Sequence, residues 1–444
     1  MKKIENENGS AIITVIIFIT IVTFFLSLIF LYNKYQYKLV NNLGNQIQAY
    51  YNAKSAAFLA LQKFKEEKQM TSASYFFQLT KKDSSKVKIK PFGLFLLVEA
   101  VSKLPGVTYT RRFLAGQTSD SRFNAALVIG DINNPIVISG NTIIQGDVFC
   151  GPQGIKSGIL RGKRFNKDKM VFGSILKYNY SHLPNFNPGI LNTQIKRLQE
   201  RLTNIQSIPA LSDSVIKLNN IIIELNKDKF NSLISDGLKK ILGPGTIYLS
   251  DNITFYNIYF EGPLIIYSGQ NINFSRQFKA KKILVNAKKI TISSFQKING
   301  QFIAQDTLII AKGVTLTYPS IAAVFASEMN IAPTLIKISD AANVKGTVIL
   351  SSKIHNNIKN NQLSRLIIEK NAIIDGVTFS DNYTELHGLI NGIVLTDQFY
   401  FYLSPTLYIN WINDAFINRR DLNKKLILPL GFDLDTDYAI IKEF

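Results

Sequence analysis

Residues 264–310 read LIIYSGQNINFSRQFKAKKILVNAKKITISSFQKINGQFIAQDTLII, and an aliphatic triplet recurs within them as Leu264-Ile265-Ile266, Ile283-Leu284-Val285 and Leu308-Ile309-Ile310. The interval of about 20 to 25 residues is that of a chain coiling into stacked rungs, each made of three short strands. Each triplet is bounded by Asn, Gly, Lys or Asp. A rung of this kind buries its inward aliphatics only against the next rung, with Gly or Asn at the corners. Further triplets stand at Ile136-Val137-Ile138 and Leu366-Ile367-Ile368. A second element, an aliphatic residue two positions before a glycine, recurs at Ile144/Gly146, Ile298/Gly300, Val344/Gly346, Ile374/Gly376 and Leu386/Gly388. Together they predict a parallel β-helix. A β-sandwich also carries many short strands, but two-residue hairpin turns are nearly missing, which favours the solenoid.

Outward from this stretch the pattern breaks between 187 and 243. Leu191, Ile195, Leu198, Leu202 and Ile205 recur at 4-3-4-3 spacing after Pro188-Gly189, an amphipathic helix entered through a proline. Phe230, Leu233, Ile234, Leu238, Ile241 and Leu242 predict a second helix ending at Gly243-Pro244. The first helix reads either as a docking seam or as a helix lying on the solenoid flank. The aromatic tail 405–444, with Trp411, is expected to cover the open end of the solenoid. Upstream, Tyr75–Phe77, Val87–Ile89, Leu94–Val98 and Val107–Thr110 are strand-like runs separated by Pro and Gly, a small β-meander over 72–118.

The N-terminal part is of another kind. Residues 11–31, AIITVIIFITIVTFFLSLIFL, carry no charge, and at helical rise they extend about 31 Å, the depth of a bilayer core. The run leaves into Tyr32-Asn33-Lys34-Tyr35, which offers no A-x-A signal-peptidase site. Beyond Lys38, Val40, Leu43, Ile47, Ala53, Ala57, Leu61 and Phe64 form an apolar stripe, and Gly44 is the sole breaker. One helix of nearly sixty residues is predicted, first apolar and then amphipathic. The basic count on either side of the span is balanced by Lys2, Lys3, Lys34 and Lys38, so the large C-terminal body is what favours a cytoplasmic N-terminus.

The leader MKKIENENG, ending in Gly9, followed by Ser10, Ala-Ile-Ile and a long hydrophobic helix, resembles the N-terminus of type IV pilins and type II secretion pseudopilins. The resemblance covers about the first 65 residues. It implies that a prepilin peptidase cuts between Gly9 and Ser10 and that the helix packs into a filament core. Thr14 stands at the fifth mature position, where the family usually has Glu. That matches the atypical minor members, which tend to sit at a filament tip.

The expected architecture is therefore mainly β: a leader (1–9), a transmembrane and amphipathic N-terminal helix (10–68), a β-meander (72–118), a first part of the β-solenoid (119–186), a helical insertion (187–243), the main β-solenoid (244–404) and a C-terminal cap (405–444). The formal charge of +20 would suit a polyanion partner, but the lysines read as spread along the chain, so nucleic acid is not expected. Cys150 is the only cysteine, which excludes an intrachain disulfide. His182, His355 and His387 have no metal-ligand spacing. Asp433, Asp435 and Asp437 form D-x-D-x-D, a pattern that suits calcium, although the glycine and distal Glu of the twelve-residue loop are missing. No nucleophile elbow, phosphate loop or dinucleotide fingerprint occurs, so neither an enzyme nor a cofactor is expected. The expectation is a pilin-like protein of the bacterial inner membrane with an extracytoplasmic domain that is structural or adhesive. Its partners would be membrane lipid, other pilin-like subunits, a prepilin peptidase and a surface glycan. An anchored β-helix enzyme acting on polysaccharide and a plain single-pass scaffold are the two alternatives.

Overall fold

The computed structural model describes residues 8–67, 71–79, 83–275, 277–293, 295–326, 332–352, 363–420, 422 and 426–443, with side chains from Ala11 onward. The chain is mainly β behind one long helix, and it divides into two units.

The first unit comprises residues 1–89, 98–113 and 443–444. Its helix α1 (Asn8–Glu66) runs unbroken through Gly44, whose missing side chain has nothing within 4 Å. The expected meander is present as Ala73–Phe77, Ser84–Phe92, Phe95–Leu104 and Val107–Thr118. The first pair is antiparallel with Tyr75 opposite Val87. Alternation in Lys86-Val87-Lys88-Ile89 sorts cleanly: Val87 and Ile89 are buried and the lysines point out. Ala49, Ala53, Ala56, Ala57, Ala60, Leu61 and Phe64 form a fully buried face of α1. Small side chains there let a backbone approach closely. Polar contacts fix this packing, with Asn52 Nδ2 donating to Asp83 at 2.8 Å and the Arg111 guanidinium lying 3.9 Å over the Tyr50 ring. Arg111 also pairs with Glu443.

The second unit comprises residues 90–97 and 114–442. Its strands pair in parallel, coil over coil. Ile247 stacks on Ile266, Ile266 on Val285, Val285 on Phe302 and Phe302 on Ala322. All are fully buried, so each coil completes the apolar environment of the one before it. The aliphatic-x-Gly element also has a clear cause at three positions. Gly346, Gly376 and Gly392 are register partners in successive coils. A Cβ on Gly376 would stand 1.8 Å from the Gly346 carbonyl oxygen, and one on Gly392 would stand 1.8 Å from that of Gly376. Only glycine fits such a column, and Gly346 and Gly376 also hold φ of 146° and 153°.

The order of the coils departs from the order of the sequence. From Val215 to Leu403 the coils follow the chain, but the next partners of Leu389–Asn391 are residues 416–418 of the tail, which pair in turn with Ile143–Gln145. Leu127–Ile129 lies on Val394–Thr396, and the coil of Val171–Phe172 and Ile175–Lys177 lies beyond it, on residues 144–145 and 148–150. The first coils of the sequence are thus laid on the last. Residues 178–214 must then run the length of the stack. Phe186 packs on Phe325 and Phe379, Gln199 donates to the Tyr267 hydroxyl at 2.6 Å, and the Gln206 amide donates to the Ile222 carbonyl.

Two expectations are corrected here. The tail does not simply cover an end, because Phe416–Asn418 is a strand set between Leu389–Asn391 and Ile143–Gln145, and Trp411–Asn413 pairs with Val137–Ser139. Nor is 187–243 one helical insertion. Helix α2 (Gly189–Arg201) and helix α3 (Lys227–Ser235) are present, but Val215–Lys217, Ile222–Leu225 and Lys240–Leu242 belong to the parallel stack. The second helix ends at Ser235, seven residues before Leu242, and Gly237 follows with φ 92°. Leu238 and Ile241 keep helical spacing by coincidence, since both are buried from a turn and a strand.

Candidate functional site

The candidate site is α1. Every large apolar side chain from Ile12 to Leu31 is exposed, up to 72 % at Phe30, and the segment is long and apolar enough to cross a membrane. Its hydroxyls suit an apolar solvent: Thr20, Thr23 and Ser27 each donate to the carbonyl four residues earlier, at 2.7–2.8 Å. Tyr32, Tyr35 and Tyr37, with Lys34 and Lys38, then mark the point where the helix turns amphipathic, as aromatic and basic anchors do at a bilayer surface.

Beyond that point α1 carries two apolar faces, where the sequence shows a single stripe. Ala53, Ala57, Leu61 and Phe64 face the meander and are buried. Val40, Leu43, Ile47, Tyr51 and Phe58 lie on an adjacent side, 48–61 % exposed. At 100° per residue the mean directions of the two sets are about a quarter of a turn apart. The exposed one spans about 27 Å of helix outside the membrane-length segment.

Gly9 and Ser10 fall in the first turn of α1, which begins at Asn8, and the rest of the proposed leader, residues 1–7, lies outside the described residues. Thr14 lies on the exposed part of the helix. Asp433, Asp435 and Asp437 lie on irregular chain just before the strand Tyr438–Glu443. Two bonds to its carbonyls hold that segment down: the Thr118 main-chain amide donates to the Asp437 carbonyl at 2.7 Å, and the Gln117 side chain donates through Nε2 to the Leu434 carbonyl at 2.8 Å. Among the described residues no three His, Cys, Asp or Glu side chains gather closely enough to hold a metal ion. His182 lies within a ring stack, His387 hydrogen-bonds Glu385 at 3.0 Å, and His355 lies outside the described residues. Cys150 is buried, and burial pushes its thiol up.

One group of carboxylates is not legible in the sequence. Asp131 accepts from Asn134, Gln398 and Asn410 at 2.8–3.0 Å. Asp381 accepts from the Ser351 hydroxyl and the Ser352 amide, and burial raises its pKa. Burial, together with the neighbouring Asp131 and Asp381, brings Asp397 to about 6. The signal is one of register. Ser380, Thr396 and Ile129 are partners in adjacent coils, and an aspartate follows each within two positions. Without the register, the three look unrelated. As an arrangement it is an acidic cluster in which two carboxyls, Asp381 and Asp397, hold their protons more firmly than usual.

No protein-family model matches the chain, and no curated protein matches it. Among solved structures it is similar to the competence-associated pilin ComZ from Thermus thermophilus, at 9 % identity, over 90 % of this chain and 97 % of that one, with a TM-score of 0.21. That score lies well below the level of a shared fold.

Proposed function

We propose that this chain is a membrane-anchored, pilin-like envelope protein with a structural or adhesive role. In this reading its parallel stack is the wall of a β-helix that acts as a rigid display surface. The observation that carries the reading is the second apolar face of α1. A plain anchor needs an apolar segment only within the bilayer. An exposed stripe from Val40 to Phe58 continues it for about five turns and calls for another helix to cover it. Packing against the N-terminal helix of a second subunit supplies that cover, and processing between Gly9 and Ser10 would release the helix for assembly.

The test is cysteine cross-linking in native membranes. Ile47→Cys and Tyr51→Cys should cross-link to the N-terminal helix of another subunit, identified by the linked peptide, whereas Ala53→Cys on the buried face should not. Equal cross-linking at all three positions, or none at any, would remove the assembly reading and leave a single-pass scaffold.

A second reading, an anchored enzyme acting on polysaccharide, is favoured by one observation, the Asp131, Asp381 and Asp397 cluster with its raised pKa values. Its test is turnover of acidic and neutral glycans by the wild type and by Asp397→Asn. Activity lost in the variant supports it, and no turnover by the wild type ends it.

A further inference from the structure

We propose that the coil from Ile155 to Lys177, with the neighbouring Arg420 and Tyr180, is a docking surface for an anionic polysaccharide. This rests on the display reading above but not on processing at Gly9 or on filament assembly. The charge of the chain is not evenly spread once the coils are placed. Between Lys156 and Lys177 stand seven lysines and arginines and one acid, Asp168, and of the seven Lys163 is paired with Asp414 at 2.7 Å. Register puts this coil beyond Ile143–Cys150, and Ile175 and Leu176 are still 41 % and 36 % exposed. A short hairpin, Ile159–Leu160 with Lys163–Arg164, projects from the coil and turns at Arg161 and Gly162, both at positive φ. Arg164, Lys167 and Lys169 line an open cleft of about 570 Å³ on one side of Gly173. Gly173 also lines a second cleft of about 620 Å³, together with Arg420, Phe172 and one acid, Asp147. One small anion cannot engage both clefts, whereas a polymer with repeated carboxylates or phosphates can.

The rings that follow this coil in the chain, Tyr178, Tyr180 and His182, favour a sugar polymer over a nucleic acid. Tyr178 and His182 lie 3.7 Å apart and His182 and Tyr180 lie 4.6 Å apart, centre to centre. Rings so closely stacked leave no slot for a base to enter. What remains is the outer face of Tyr180, 65 % exposed, a flat electron-rich platform for the C–H face of a pyranose. Positive charges on an end coil also have a simpler use, in keeping copies of the chain from stacking edge to edge, and the experiment separates the two.

Full-length protein in neutral detergent would be titrated against polygalacturonate, neutral dextran and oligo(dT), in parallel with Lys167→Glu/Lys169→Glu, Lys167→Arg/Lys169→Arg and Tyr180→Ala. The surface predicts binding to polygalacturonate that weakens with salt and no binding to dextran. The double glutamate variant should bind at least tenfold more weakly and Tyr180→Ala about fivefold more weakly, and the arginine pair should retain wild-type affinity. All these positions are at least partly exposed, and unchanged thermal unfolding would show that the variants fold. Equal or tighter binding of oligo(dT), no binding of polygalacturonate, or glutamate variants that self-associate yet bind as the wild type does would each overturn the proposal.

Discussion

Asp397→Asn is the sharpest perturbation of the parallel stack, because the carboxyl is held near pH 6 by burial and by the adjacent Asp131 and Asp381. A folded-state pKa above the unfolded value of 3.8 means that folding favours the protonated acid. Its contribution is fully present below about pH 4 and is lost as pH rises through about 6. A rise from 3.8 to about 6 corresponds to about 3 kcal/mol at most. The carboxyl is only partly buried, so solvent screening brings the cost of ionised Asp397 at pH 7.5 to about 1 kcal/mol. Asparagine keeps the shape and removes the charge. Thermal unfolding of the purified chain should therefore give a variant about 2 °C more stable than wild type at pH 7.5, with the difference vanishing near pH 4. A variant less stable at pH 7.5, or a difference that does not change with pH, would refute the assignment of strain to the aspartate cluster.

Gly376→Ala should destabilise the stack by more than about 3 kcal/mol in denaturant titration, because its Cβ would meet the Gly346 carbonyl oxygen at 1.8 Å. Gly269→Ala, with nothing within 4 Å, should change stability by less than about 0.5 kcal/mol. Ile47→Asp should leave thermal unfolding within about 1 °C of wild type, since Ile47 is 60 % exposed, while abolishing the cross-links from Tyr51→Cys. Cys150 should react with a thiol reagent only after denaturant is added, read by mass, because it is buried and its thiol is pushed up.

The helix and the class of the body were legible because their signals are local. Twenty-one uncharged residues admit few conformations, and the triplets at 264, 283 and 308 are short strands wherever they fall. Coil order was not legible. Nothing around Ile417 or Ile144 says that they pair across more than 270 residues of chain, since any aliphatic coil can stack on any other. The helical reading of Leu238–Leu242 failed for a related reason. A turn followed by a strand that faces inward reproduces a 3-4 spacing, and only the ladders on both sides of Lys240–Leu242 distinguish it. The two faces of α1 could have been separated on a helical wheel, because Ile47 and Ala53 lie well apart in angle. Composition hid the difference, for both are apolar. The candidate surfaces of the body depend on register too: the aspartates 131, 381 and 397 and the charges of the 155–177 coil converge only once the coils are laid in order. Seven basic residues in one short stretch were visible all along, but an even spread over a long chain conceals a dense segment unless windows are compared.

The most direct measurement is the N-terminus of the protein isolated from its own membrane, by intact mass and terminal sequencing. A chain beginning at Ser10 is the predicted result, showing that the Gly9–Ser10 bond at the head of α1 is cut and the helix released for assembly. A chain beginning at Met1 or Lys2 would contradict the pilin-like account.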